Sequence, residues 1–338
     1  MKLLIQKPVI FISLSAMLLA IIAIYMLTIG TASIPVHTVL SIILEKLLGI
    51  HNQDIPTTQQ TIVWNFRGQR IALAMIVGSG LAVSGTCFQT MFKNPLADPF
   101  ILGVSSGAAL GASIAIVTGR TDCMIVLAFT GAILSLAMVY FLGQQSMHNS
   151  SDQQLLLAGI ACGAMLNAML SALMALNSQQ MQMIVFWLMG SLTNYVDTLM
   201  PVFVIVSIGV MVVMLFARDL DVMALGDEDA RFLGVDVDKV KPLLLIVTSL
   251  MTGACVSVSG IIGFIGLIVP HIVRKIVGTT HLVILPLSAI FGAIFLLLAD
   301  GLTRMVPLMS GIPVGVVTAL FGSPFFLYIL YATGRRLR

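Results

Sequence analysis

Three constellations in this 338-residue chain carry residue types capable of chemistry. The run Gly103-Val104-Ser105-Ser106-Gly107 fits the G-x-S-x-G pattern of a hydrolase nucleophile elbow. That chemistry needs a strand–turn–helix context and a histidine base, and neither is legible here. The five histidines are scattered, and none suggests itself as a buried partner for Ser105. The run reads instead as small residues opening a closely packed helix. Arg67 and Arg70 form an R-x-x-R pair, one turn apart on one helix face, and Arg304 lies near the end of a later apolar segment. Arginines so placed either snorkel to lipid headgroups or pair with the acidic residues of a partner. The third constellation is Asp227-Glu228-Asp229-Ala230-Arg231-Phe232-Leu233-Gly234. Acids in a first turn and a closing glycine predict a short, well-capped helix. Phe232 and Leu233 on so polar a stretch mark it as a docking surface for a soluble partner.

Few residues remain for a metal or nucleotide. The four cysteines (Cys87, Cys123, Cys162, Cys255) show no CxxC spacing and read as buried apolar side chains. No Walker A motif occurs, so any ATP must be hydrolysed by another chain.

The elements that position these residues follow from composition. Hydrophobic residues make up 59% of the chain and charged ones 9%, with a mean hydropathy of +1.07. A soluble domain is about a quarter charged. Such a chain must face lipid, and its long unbroken apolar runs select helices over a barrel. Apolar windows predict ten spans at 9–29, 70–92, 100–119, 123–142, 154–175, 184–216, 242–259, 261–276, 282–299 and 312–332. The first is read as a retained helix rather than a signal peptide. The sixth is too long for one span, so a short interfacial helix from Phe186 to Tyr195 is expected before it.

Charge placement orients these spans. With the N-terminus inside, twelve basic residues fall on the cytoplasmic side: Lys2, Lys7, Lys93, Arg218, Arg231, Lys239, Lys241, Arg274, Lys275, Arg335, Arg336 and Arg338. Five (Lys46, Arg67, Arg70, Arg120 and Arg304) fall outside. This asymmetry obeys the positive-inside rule and places both termini in the cytoplasm. At an offset of 175 residues, Gly78, Val83, Ser84, Gly85, Pro95, Ile101 and Gly103 recur as Gly253, Val258, Ser259, Gly260, Pro270, Ile276 and Gly278. An odd number of spans separates the two stretches in direction, which suggests the inverted repeat of a transporter. An ion-driven transporter would need carboxylates in mid-span, whereas Asp98, Asp197 and Asp300 all fall near span ends.

Several of these pieces, in order, resemble the permeases of ATP-binding-cassette importers for iron-siderophores, haem and vitamin B12, the type II importer fold. The matching segments begin with Arg67–Arg70 and Val77-Gly78-Ser79-Gly80-Leu81-Ala82-Val83-Ser84-Gly85, then Gln89 and Asn94-Pro95-Leu96-Ala97-Asp98-Pro99. They continue through Leu102–Ala108, Leu155–Gly159, Trp187–Leu192, Leu225–Gly234, Gly263–Arg274, Ala299–Arg304, Pro313–Thr318 and Gly322–Phe326. The resemblance covers nearly the whole chain and implies one transmembrane permease domain over 1–338, all helical, with a cytoplasmic coupling segment at 218–240. It further implies a bacterial inner-membrane location and a second permease copy, most simply a homodimer, around a central pathway. Two ATPase subunits holding ATP-Mg would dock below, and a substrate-binding protein above. Arg67, Arg70 and Arg304 then match positions that meet acidic residues of the binding protein. Asp227, Glu228, Ala230, Arg231, Phe232, Leu233 and Gly234 match the coupling helix, and Asp152 and Gln153 match the inner gate. Ser84 and Gln89 are assigned to the pathway. At the gate this chain departs from the family, with Asp and Gln where small hydroxyl residues are familiar. The resemblance implies no enzyme activity, no cofactor on this chain and no nucleic-acid partner. The implied cargo is an iron chelate, with vitamin B12 or molybdate/tungstate as alternatives on the same fold.

Overall fold

The computed structural model describes residues 8–30, 32–49, 55–144, 151–192, 199–305 and 311–334. Among them the secondary structure is helical, without strands. The principal helices are α1 (Pro8–Thr28), α2 (Val36–Leu48), α3 (Thr57–Met91), α4 (Val104–Val117), α5 (Met124–Gln144), α6 (Ser151–Leu176) and α7 (Met181–Leu188). There follow α8 (Leu199–Leu215), α9 (Ala217–Met223), α10 (Asp227–Phe232), α11 (Val237–Ser259), α12 (Ile265–Val277), α13 (His281–Met305) and α14 (Val314–Gly334). Six described helices are long and apolar enough to cross a membrane, and α8 with α9 makes a seventh candidate bent by 58°. The fold is that of a polytopic helical membrane protein.

Most boundaries lie near those the apolar windows predict, and the departures have local causes. α3 begins at Thr57, well before the expected residue 70, because a π-helical stretch at Ile62–Gly68 carries the helix through Arg67 without a break. The interfacial helix before the sixth span is Met181–Leu188, earlier than the predicted Phe186–Tyr195, and residues 193–198 lie outside the described residues. α2 was not anticipated by a search for twenty-residue windows. It is amphipathic and packs Val39 and Ile42 against Ile34 and Val63. In the 175-residue register some positions correspond and others do not. Gly103 and Gly278 each close a helical segment, with φ of +74° and +90°, whereas Gly85 sits inside α3 and Gly260 ends α11 with φ +67°; Pro95 lies in a loop and Pro270 is inside α12.

The core is built on α3 and α13. A Cβ on Gly78 would stand 2.3 Å from the Gly292 carbonyl oxygen, so the two backbones touch where each has a glycine. Ser79 Oγ donates to the Ala289 carbonyl at 2.9 Å, and the Thr86 and Ser288 hydroxyls lie 3.1 Å apart. α3 is mostly buried whereas α6 and α1 are mostly exposed, so α3 forms the axis and the other two the outside. The G-x-S-x-G run is a packing element. Gly103 adopts φ +74°, and Gly107 meets the backbone of Gly131 on α5. Three cysteines are buried as expected, while Cys123 is exposed at a helix start.

Candidate functional site

The chemistry-bearing residues separate into two groups at opposite ends of the α3–α13 pair. From Arg67 to Thr90 along α3 is roughly 35 Å at 1.5 Å per residue, the thickness of a membrane core plus part of its interfaces.

At the first end, α1 terminates without a basic residue in its own last turn, which leaves carbonyl groups unsatisfied. Arginines from other helices complete it. Arg67 donates to the carbonyls of Leu27 and Ala32, and Arg304 donates to those of Met26 and Ile29, both at 3.2 Å. Asp300, fully buried one turn before Arg304, pairs with Arg70 at 2.7 Å and with Arg304 at 3.1 Å. Arg70 also approaches the Thr303 hydroxyl at 3.4 Å. Three guanidinium groups around one carboxylate leave two positive charges in excess, and they border a cavity of about 780 Å3. Trp187, Ser259, Thr303 and Pro313 complete much of its wall.

The three arginines expected at an outward rim are thus brought together on one cavity, with Arg67 and Arg304 sheltered and Arg70 partly exposed. Arg67 is 7% exposed and braces the end of α1. The π-helical turn and the orphan carbonyls of α1 give the physical reason. Arg304 lies inside α13 rather than after it. Asp300 is legible in the sequence as a carboxylate near a span end, but pairing across 230 residues leaves no signal in the spacing.

At the other end, α10 forms as a short helix where predicted, but its N-cap, Gly226, has no side-chain capping bond. Gly226 precedes it, three acids fill its first turn, and Gly234 follows with φ +92°. Ala230 is buried and seats the helix, while Phe232 is 90% exposed and Leu225 and Leu233 are also exposed. Asp227 bridges Lys93, just past the end of α3, at 2.7 Å and Lys241 on α11 at 2.8 Å. Burial raises the Asp227 carboxyl, but hydrogen bonds from Lys241 and Lys93 outweigh it and hold the group below its ordinary value. Arg231 pairs with Asp238 at 2.7 Å. Glu228 is exposed and faces solvent. Lys93 takes φ +47° in the turn leading to Asp98, which accepts from the Phe100 amide at 2.9 Å and caps the next helical turn.

The two residues assigned to the pathway are packed between helices. Ser84 is fully buried and donates to the Thr248 carbonyl at 3.2 Å, so it ties α3 to α11. Gln89 is 3% exposed; it donates to the Gly266 carbonyl at 3.0 Å and accepts from Arg274. Gln153 is exposed near the start of α6, and the Asp152 side chain lies outside the described residues.

Sequence reasoning missed a network beside these residues. Asp221 on α9 accepts from the His281 amide at 2.8 Å and from its Nδ1 at 2.6 Å. His281 Nε2 lies 2.7 Å from the Thr90 hydroxyl, which also accepts from Arg274 at 3.3 Å. A buried histidine therefore exists, at 2% exposure, but its partners are Asp221 and Thr90, not Ser105. Its position at a helix start, just before an apolar run, was the only signal available.

A bundle that crosses the membrane repeatedly, with a charged cavity at one end and an exposed apolar knob on an acidic helix at the other, is the architecture of a transport permease rather than of an enzyme. The FecCD transport family matches residues 18–332, and the chain belongs to that family of ATP-binding-cassette importer permeases. It is 44% identical to the cobalamin import system permease protein of Halobacterium salinarum, over 82% of this chain and 75% of that one. It is 40% identical to the hemin transport system permease protein of Yersinia pestis, over 79% and 83%. With a Fe(3+)-citrate import system permease protein of Bacillus subtilis it shares 38%, over 83% and 84%. A solved metal-chelate type ABC transporter in an inward-facing conformation superposes with a TM-score of 0.83 at 30% identity, covering 95% of this chain and 99% of that one. ATP hydrolysis in such importers belongs to a separate subunit.

Proposed function

We propose that this chain moves an iron chelate, a siderophore complex or haem, across a bacterial cytoplasmic membrane by alternating access. It acts with a second permease copy, two ATPase subunits and a substrate-binding protein. Phe232 carries this reading: an aromatic ring 90% exposed on a gripped helix with acids in its first turn is half of an interface, and its complement is a soluble partner. Ten spans follow if the bent α8–α9 pair counts as one and the short helices α4, α12 and α14 each cross the bilayer. Both termini are then cytoplasmic, in accord with the basic-residue asymmetry. The exposed apolar face of α6, with Leu157 and Ile160, supports a pathway formed between two copies rather than within one. The excess positive charge around Asp300 favours docking of acidic residues of the binding protein at Arg70 and Arg304, with Arg67 bracing them from behind.

The test is reconstitution of the permease with its ATPases and loaded binding protein in proteoliposomes. Uptake of ferric chelate that requires ATP and stops with vanadate is expected. Uptake that survives vanadate and collapses with an uncoupler contradicts the proposal. Arg70→Glu is expected to cut binding-protein stimulation of ATPase activity severalfold, and unchanged stimulation removes the docking role. A second cargo reading, a cobalamin, is favoured by the 44% identity to a cobalamin permease and is separated by the same assay run with each cargo.

A further inference from the structure

α10 and the helix directly before it, α9, are each tied by a polar contact to the same helix pair. Lys93, at the end of α3, holds Asp227, the first residue of α10. His281, the first residue of α13, holds Asp221 on α9, the element directly before α10. The two grips are joined, because His281 Nε2 meets Thr90 on α3 at 2.7 Å. α3 and α13 are in turn locked along their length by Gly78 against Gly292, by Ser79 donating to Ala289 and by the Thr86–Ser288 contact. At the far end the Arg70–Asp300 ion pair closes the same two helices. The pair is thus fastened at both ends and in the middle. It resists relative sliding, and a displacement at one end reaches the other as a rigid-body motion.

We infer that the Asp221–His281 pair is the positioning link through which α10 and the α3–α13 pair move together, so that ATPase motion reaches the arginine end. His281 touches no nucleotide and no cargo and acts through the helices that it joins. The chemistry suits a mechanical link. One carboxylate oxygen takes two donors from the same residue, the amide and Nδ1, which fixes both the backbone position and the ring orientation of His281. The ring then presents Nε2 to Thr90, so the side chain bridges α9 and α3 while its backbone starts α13. Arg274 on α12 reaches the Thr90 hydroxyl and the Thr86 carbonyl, which adds a fourth helix to the joint. Charge-assisted bonds in a largely buried setting are stiffer than the exposed pair Lys239–Asp236 nearby, which solvent screens.

This inference rests on the reading of α10 as the ATPase dock, and the experiment separates the two. In the assembled importer in proteoliposomes, basal ATPase activity, binding-protein stimulation and cargo moved per ATP are measured for His281→Ala, Asp221→Ala, His281→Asn, His281→Gln and Phe232→Ala. His281→Ala and Asp221→Ala are expected to assemble and hydrolyse ATP within about twofold of the parent complex, yet to move at least about tenfold less cargo per ATP. An amide at the Nδ1 position keeps the donor to Asp221, so His281→Asn is expected to recover most of the coupling, whereas His281→Gln is not. A packing defect alone would not discriminate between the two amides in this order. Asp221→Ala removes the acceptor shared by the His281 amide and Nδ1 at a partly exposed site, and keeps the test decisive if His281→Ala fails to fold. Cargo per ATP within twofold of the parent in Asp221→Ala overturns the inference. If instead Phe232→Ala retains full ATPase capture and coupling, the docking role of α10 fails, whatever the histidine variants do.

Discussion

The two ends of the α3–α13 pair solve opposite problems. At the arginine end, charge is concentrated yet sheltered: Arg67 and Arg304 cap α1, and Asp300 neutralises part of the cluster from full burial. At the α10 end the charges are paired in half-exposed bridges, and what is left over is apolar: Leu225, Phe232 and Leu233 project into water. The first end is complete as a fold and carries surplus charge, which suits transient docking by a complementary acidic surface. The second end is incomplete as a surface, which suits a lasting partner that buries the aromatic ring.

The contrast is broken most severely at Asp300. Asp300→Ala strands Arg70 and Arg304 in a sheltered site, and losing one member of a buried ion pair costs about 3–5 kcal/mol. Thermal unfolding of the purified permease is expected to fall by many degrees. An unchanged midpoint would mean that the arginine end is not held by its own carboxylate. A smaller effect is expected at Lys241→Met, which leaves Asp227 with Lys93 alone. Loss of one charge-assisted bond is worth about 1.5–3 kcal/mol before solvent screening reduces it. Proteolysis of the 225–236 segment should accelerate without a change in the global midpoint, and unchanged cleavage would leave Lys241 without a role in seating α10.

The mildest probe is pH. The two lysines hold the Asp227 carboxyl below its ordinary value of 3.8 despite its burial. A carboxylate depressed in the folded state adds stability that is fully present above the unfolded value and is lost as pH falls through the folded one. The seating of α10 should therefore be constant from about pH 5 to 8 and weaken only below about pH 4. Hydrogen exchange in α10 is the readout, and a transition between pH 5 and 7 would contradict the assignment.

What the sequence made legible divides along the same line. α10 could be read from eight contiguous residues, because caps, acids and closing glycine are local signals. The spans were legible because lipid permits little besides long apolar helices. The Asp300 cluster and the Asp221–His281–Thr90 network were not, since their partners are joined only by tertiary packing across 60 to 230 residues. Ser84 and Gln89 sit on a helix rich in small residues, and small residues serve a pathway or a helix contact equally well. In the structure both are hydrogen-bonded to neighbouring helices, Ser84 to α11 and Gln89 to α12.

The most direct test of the central claim is a photo-crosslinking residue placed at Phe232 in cells expressing the whole importer. Irradiation is expected to join the permease to the ATPase subunit from the cytoplasmic side, with the yield falling when Leu233→Asp is added. Adducts to the extracytoplasmic binding protein, or none to the ATPase while a probe elsewhere in the chain captures it, would contradict the account.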